Sequence, residues 1–186
     1  MNQVMSQPHR AVVALQAAAP RPTQFLTFML GEEQYAVGIL HIKEIIEYGS
    51  LATVPMMPEC VRGVINLRGA VVPVLDLSAR FGRAVSTISK RSCIVIVEVG
   101  DGEDEGGAQR QAKQVLGMLV DAVNAVVDIN AADIEPAPSF GTRIRPDFIA
   151  GMGKCGGKFV VLLDIEHVLA SEEIAALARE SAAGHA

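Results

Sequence analysis

The chain has no tryptophan, and phenylalanine and tyrosine together make up only 4% of it. Its 21 acidic residues outnumber 16 basic ones, leaving a net charge of −5. Without a surplus of cations for phosphates or rings for stacking bases, nucleic acid is excluded as the natural partner. Cysteine is scarce too. Cys60, Cys93 and Cys155 are an odd set without CxxC spacing, so neither a disulfide framework nor a zinc site is expected, and a reducing cytoplasm suits them as small buried hydrophobes. Long apolar runs are also missing. The strongest, Cys93 to Val97 and Phe159 to Leu163, fall far short of the roughly 18 residues that a membrane span needs. Arg10 followed by Ala11 to Ala19 has the outline of a secretion signal, yet Gln16 interrupts it and Pro20 and Pro22 follow. A disordered or marginally helical cytoplasmic tail is the better reading.

What is present points to a soluble globular protein. The 186 residues are 50% hydrophobic and 20% charged, with mean hydropathy +0.32, too apolar for disorder and long enough for a sizeable core. From Phe25 onward the apolar segments are short, rich in Val and Ile, and broken by Gly or Pro at close intervals. That pattern predicts a mostly β fold of small barrels or sandwiches.

The chain also repeats itself. Gly63, Gly69, Val72, Asp76 and Leu77 match Gly151, Gly157, Val160, Asp164 and Ile165 at an offset of 88. Upstream the offset is 81, pairing Ile42 with Val123, Ile45 with Val126 and Pro55 with Pro136. Further upstream it is 69, pairing Phe25 to Phe28 with Ile94 to Val97. The step from 69 to 81 marks 12 extra residues in the Gly100 to Gln114 loop, whose Gly-rich acidic cluster lacks the ligand periodicity of a calcium loop and reads as a solvated hairpin tip. The expected organisation is a flexible tail over 1–22, one half over 23–90, a second over 91–172, and a C-terminal helix or tail over 173–186. Whether the halves exchange strands is left open by the pattern.

Chemistry-bearing motifs are few. Asp76 and Asp164 end strand-like runs just before short helical patterns, where a carboxylate caps free backbone N–H groups; catalysis by the pair is the weaker reading. Gly151-Met-Gly153-Lys-Cys-Gly156 is formally G-x-G-x-x-G, but a strand follows it where a phosphate loop needs a helix, so a β-turn is expected to explain these glycines. His41 and His167 have no partner at metal-ligand spacing, and no Ser or Cys sits in a nucleophile elbow. The sequence offers no catalytic constellation and implies no cofactor.

The most distinctive stretch is Asn66-Leu67-Arg68-Gly69 followed by Val71-Val72-Pro73-Val74-Leu75-Asp76-Leu77. With Gly31-Glu32-Glu33-Gln34-Tyr35, Val120-Asp121-Ala122-Val123, Pro136-Ala137-Pro138 and Ser171-Glu172-Glu173, it resembles the bacterial CheW family, the chemotaxis adaptors that couple receptors to the histidine kinase CheA. The likeness spans residues 24 to 177. It implies two small five-stranded SH3-like β-barrels with short helices, no enzymatic activity, and a cytoplasmic place at receptor arrays beside the membrane. The implied partners are the regulatory domain of a CheA-type kinase and the cytoplasmic tip of a methyl-accepting chemotaxis receptor. By the same resemblance Ile39, Glu44 and Ile45 face the kinase, Ile42, Arg68 and Val126 belong to receptor contact, and Asn66, Leu67 and Gly69 form the signature turn. On residue type alone Ile39, Ile42 and Ile45 are interface anchors or core residues with equal right. Two other functions compete with this one: an adaptor for a surface-motility kinase pathway, and a ligand-binding or enzymatic barrel using Asp76, Asp164 or the Gly151 region.

Overall fold

β-Branched side chains fit a pleated, packed surface, and the Val/Ile-rich runs all become strands. The computed structural model describes residues 22–100, 113–170 and 172–174. Most of the expected N-terminal tail, the tip of the 100–114 loop, Ser171, most of the 173–186 segment, His9 and His185 lie outside the described residues.

The first half runs β1 (Thr23–Leu30), β2 (Glu33–Gly38), a 3-10 turn (Ile39–His41), β3 (Ile42–Glu47), β4 (Val61–Leu67), β5 (Ala70–Asp76) and α1 (Leu77–Arg80). The second runs β6 (Cys93–Val99), β7 (Gln114–Val120), β8 (Ala122–Ile129), β9 (Ile134–Glu135), β10 (Ile149–Cys155), β11 (Lys158–Leu163) and α2 (Ile165–Val168), with 3-10 turns at Ala131–Asp133 and Pro146–Phe148. The offsets thus match β1 to β6, β3 to β8, β5 to β11 and α1 to α2. The β6–β7 ladder extends to the pair Val99 and Gln114, so the insertion lies beyond paired backbone.

The two halves exchange strands. One sheet has the order β8-β1-β2-β11-β10-β9 and the other β3-β6-β7-β5-β4. The first hairpin of each half therefore completes the other half's sheet, through parallel contacts of β2 with β11 and of β5 with β7. Position 90 divides the sequence repeat, while each sheet draws on both sides of it. The second sheet has the expected five strands; the first has six because two-residue β9 pairs with β10.

Both sheets are apolar on both faces. Val95, Val97 and Val99 of β6 join a core shared between the sheets, while Ile94 and Ile96 turn into the five-stranded barrel with Val72, Val74 and Leu119. Leu26, Phe28 and Leu30 of β1 meet the shared core, and Ala36, Ile129, Val160 and Leu162 fill the six-stranded barrel. Strands buried on both faces read as continuous apolar runs, which is what Cys93 to Val97 displays. Each fully buried Ile, Leu or Phe contributes about 1.5–3 kcal/mol of transfer free energy.

Closure of each barrel depends on one glycine. After β3 the chain crosses to β4, where Ala52 and Val64 exchange backbone hydrogen bonds of 3.0 and 2.9 Å. Next to that bridge a Cβ on Gly63 would lie 2.5 Å from the Ala52 carbonyl oxygen. In the other barrel β9 plays the same part, and a Cβ on Gly151 would lie 3.0 Å from the Glu135 oxygen. The expected turn at these glycines is thus corrected: Gly151 and Gly153 lie within β10, where neighbours leave no room for a side chain, and Gly156-Gly157 alone forms the turn to β11.

Arg80 ties the two ends of the fold together. Its Nε donates to the Val168 carbonyl at 2.7 Å, its Nη2 donates to Glu173 at 2.5 Å, and the guanidinium lies 4.8 Å from the Phe148 ring centre. Arg145 donates to Glu173 from its other side at 2.8 and 3.0 Å. Hydrogen bonds from Arg145 and then Arg80 pull the Glu173 carboxyl down to about 2 from an ordinary 4.5. A depressed carboxyl stabilises the folded state above its unfolded value and loses that contribution as pH falls. Glu173→Gln is therefore expected to melt below the parent at pH values above 4.5, with the gap closing as the pH approaches 2; melts across that range check it.

Candidate functional site

The β4–β5 hairpin turns on two residues with left-handed backbone, Arg68 at φ 51° and Gly69 at φ 86°. Asn66 stabilises the turn by accepting the Gly69 N–H on Oδ1 at 2.9 Å, and Leu67 packs inward against the five-stranded barrel's core. The matching turn of the second half uses Gly156 at φ 57° and Gly157 at φ 78°. Arginine thus stands where the duplicate has glycine, in a conformation that disfavours a side chain by about 1 kcal/mol. A strained position filled by an 80% exposed side chain is a functional lead.

That side chain reaches β3. Arg68 Nη2 donates to Glu44 Oε2 at 3.1 Å, forming the opposite-charge pair whose residues the sequence singled out. The pair sits just after a bulge between Ile42 and Glu44 in the β3–β6 ladder, which resets the alternation so that Ile46 packs inward and Ile45 faces out, 43% exposed. As an exposed ion pair it contributes only about 0–1 kcal/mol, so its value to the molecule lies in presenting charge in fixed geometry.

The other expected site residues divide. Ile39 and Ile42 are half-buried and pack against the shared core, where Val123, the duplicate of Ile42, packs too. Val126, the duplicate of Ile45, is 50% exposed on β8 of the other sheet, opposite Leu26. Glu44 and Arg68 with the Asn66–Gly69 turn are therefore joined in one place, Ile45 points from the other face of β3, and Val126 belongs to a different sheet. Sequence reading missed Leu40, almost wholly exposed between half-buried Ile39 and His41, and Val71, exposed opposite Asn66 beside the turn. The signal for Leu40 was hidden because a 3-10 turn breaks strand alternation there.

The two carboxylates of the competing reading serve as helix caps. Asp76 is fully buried and its carboxylate accepts from the Ser78 and Ala79 N–H groups and from both the N–H and hydroxyl of Ser86, with Arg62 3.6 Å away. Asp164 caps α2 through the His167 N–H at 3.2 Å. The reading of His167 as lacking an acidic neighbour is corrected: one helical turn brings its Nδ1 within 2.9 Å of Asp164, a distance set by α2. Among the described residues no three His, Cys, Asp or Glu gather as metal ligands.

Comparison with known proteins agrees with this arrangement. The family model for a CheW-like domain matches residues 24–173. The chain is 32% identical over 152 residues to the chemotaxis protein CheW of Klebsiella aerogenes, covering 82% of this chain and 84% of that one. It is 31% identical over 150 residues to the CheW of Rhizobium meliloti, covering 81% and 89%. The crystal structure of the scaffolding protein TtCheW from Thermoanaerobacter tengcongensis superposes with a TM-score of 0.68 at 34% identity, covering 82% of this chain and 90% of that one.

Proposed function

We propose two partners for this chain, which belongs to the CheW family and is a chemotaxis adaptor: the regulatory domain of a CheA-type histidine kinase and the cytoplasmic tip of a chemoreceptor. It performs no catalytic step and works in the cytoplasm at receptor arrays. No helix of the described residues is long and apolar enough to cross a membrane. Glu44, Ile39 and Ile45 address the kinase; Arg68, Ile42 and Val126 address the receptor; Asn66, Leu67 and Gly69 hold the turn that presents Arg68. The observation that carries this reading is Arg68 itself, a charged side chain kept at a backbone position where the duplicate half has glycine and paired with Glu44 across the barrel. Exposed Val71, opposite Asn66 beside the turn, adds apolar surface to that charge, the mixture of anchor and orienting charge that interfaces use.

The test is reconstitution. Adding the protein to receptor-containing membranes and kinase is expected to raise kinase autophosphorylation, and to do so only when the receptors are present. Kinase activity that ignores the protein would contradict the proposal.

A further inference from the structure

The shared core is open at one rim. Leu26 of β1 is buried in it, yet Val126, directly opposite on β8 and so on the same face, is 50% exposed. Ile39, Ile42 and Val123 pack against the same core and stay half-buried. Leu40, in the 3-10 turn between Ile39 and Ile42, is 94% exposed, the most exposed large apolar side chain among the described residues. Single apolar residues on a surface are ordinary, whereas an apolar rim that continues into a core is a surface built to be covered.

The first residues of the chain start from that rim. Thr23, where β1 begins, pairs with Ile129 of β8, and Phe25 pairs with Gly38, the residue before the turn that carries Leu40. Residues 1–21 therefore join the described chain between Leu40 on one side and the end of β8 on the other.

Charge and composition fit the two together. Residues 1–22 hold Arg10 and Arg21 and no acid, so all 21 acidic residues of the chain lie elsewhere. Two of those acids stand where the segment joins. Asp128 is opposite Gln24, on the same face of β8 as Val126 two residues before it, and Asp133 lies in the 3-10 turn that follows β8. Both are exposed, and neither forms an ion pair among the described residues. The apolar run Ala11 to Leu15 ends eight residues before Thr23, a reach of about 27 Å when extended. Val126 lies three residues along and one strand across from Thr23, about 11 Å away. Reach is not limiting.

We propose that the N-terminal segment is a built-in cover: Ala11 to Leu15 lies against Leu40 and Val126, with Arg21 at Asp128 and Asp133, and a receptor tip must displace it to bind. This rests on the reading above in which Ile42 and Val126 address the receptor. It adds regulation to that site, because a chain covered nine-tenths of the time binds its partner about tenfold more weakly than an open one.

The test uses full-length protein carrying carbon-13 methyl groups on leucine and valine, with Val12→Asp and Leu15→Asp introduced together in the same chain. The double variant is expected to move the Leu40 and Val126 signals and to leave those of Val71, on β5 of the other sheet, in place. Arg21→Glu and Asp128→Lys should each move the same two signals by less. With a receptor-tip fragment, the double variant should bind about tenfold more tightly than the parent. The cover is overturned if Leu40 and Val126 do not respond to the double variant, or if their response disappears on dilution, which would give the contact to the tail of a second copy. It is equally overturned if the signals move but both proteins bind the fragment with equal strength. If neither binds it while the signals move, the contact is upheld and the receptor assignment is what fails.

Discussion

Glu44→Arg and Arg68→Glu are each expected to abolish kinase activation in the reconstituted receptor, adaptor and kinase mixture while leaving the melting temperature where it was. Arg68 is exposed and Glu44 half-buried, and their 3.1 Å surface contact is worth only about 0–1 kcal/mol, so the fold does not depend on it. Reversed charge at a contact surface instead opposes the partner's complementary charge and misorients docking. The double swap restores the pair in opposite sense and is expected to recover part of the activity if the pair is recognised as a unit; contacts to separate partners would not be rescued. Arg68→Gly separates the backbone from the side chain. It relieves about 1 kcal/mol of left-handed strain and reproduces the Gly156 turn, so this variant should melt no lower than the parent yet fail in coupling. Early melting of the charge variants would make these positions structural and withdraw them from the site.

Gly63→Ala is expected to produce the largest loss of stability of any single methyl added to the chain. Its Cβ would lie 2.5 Å from the Ala52 oxygen and 3.1 Å from the Leu51 Cβ, at a φ of 152° that L side chains rarely adopt. Relief requires the Ala52–Val64 bridge to open, with loss of two backbone hydrogen bonds at about 1 kcal/mol each and about 1–3 kcal/mol of strain for whatever remains closed. Thermal melts should show a drop of about 5–15 °C for a domain of this size. Gly151→Ala should lose less, because its nearest contact at 2.8 Å is the Ile134 methyl, a side chain that can move, and the Glu135 oxygen stands at 3.0 Å. A Gly63→Ala protein that melts with the parent would show that close approach does not set closure.

Strand content and the repeat were legible because both are local. Periodicity and punctuation mark where a strand is, and constant offsets mark that a plan recurs. The strand exchange was not legible, since Cys93 to Val97 is equally apolar whichever hairpin it joins; burial on both faces leaves a continuous run that carries no record of its partner. Gly63 and Gly151 were visible as matched residues, and Gly151 was read as turn chemistry, whereas the cause at both is the carbonyl of a neighbouring segment that approaches too closely for a side chain. Of the site, the opposite charges of Glu44 and Arg68 were readable, and so was the Asp76 cap. The strain at Arg68 was written in the sequence as well, in Gly156 at its matched position 88 residues on, but the contrast acquires meaning only once both turns are seen to share a backbone. Ile39 and Ile42 could not be separated from Ile45 by residue type, because the 3-10 turn and the β3 bulge decide which side each faces.

Calorimetry of the full-length protein with the regulatory domain of a CheA-type kinase from the same genome tests the adaptor reading most directly. The account predicts association without any cofactor at micromolar strength, about −8 kcal/mol. It would be contradicted if no such kinase domain bound while a nucleotide, sugar or metal raised the protein's melting temperature, for ligation of the native state alone must stabilise it.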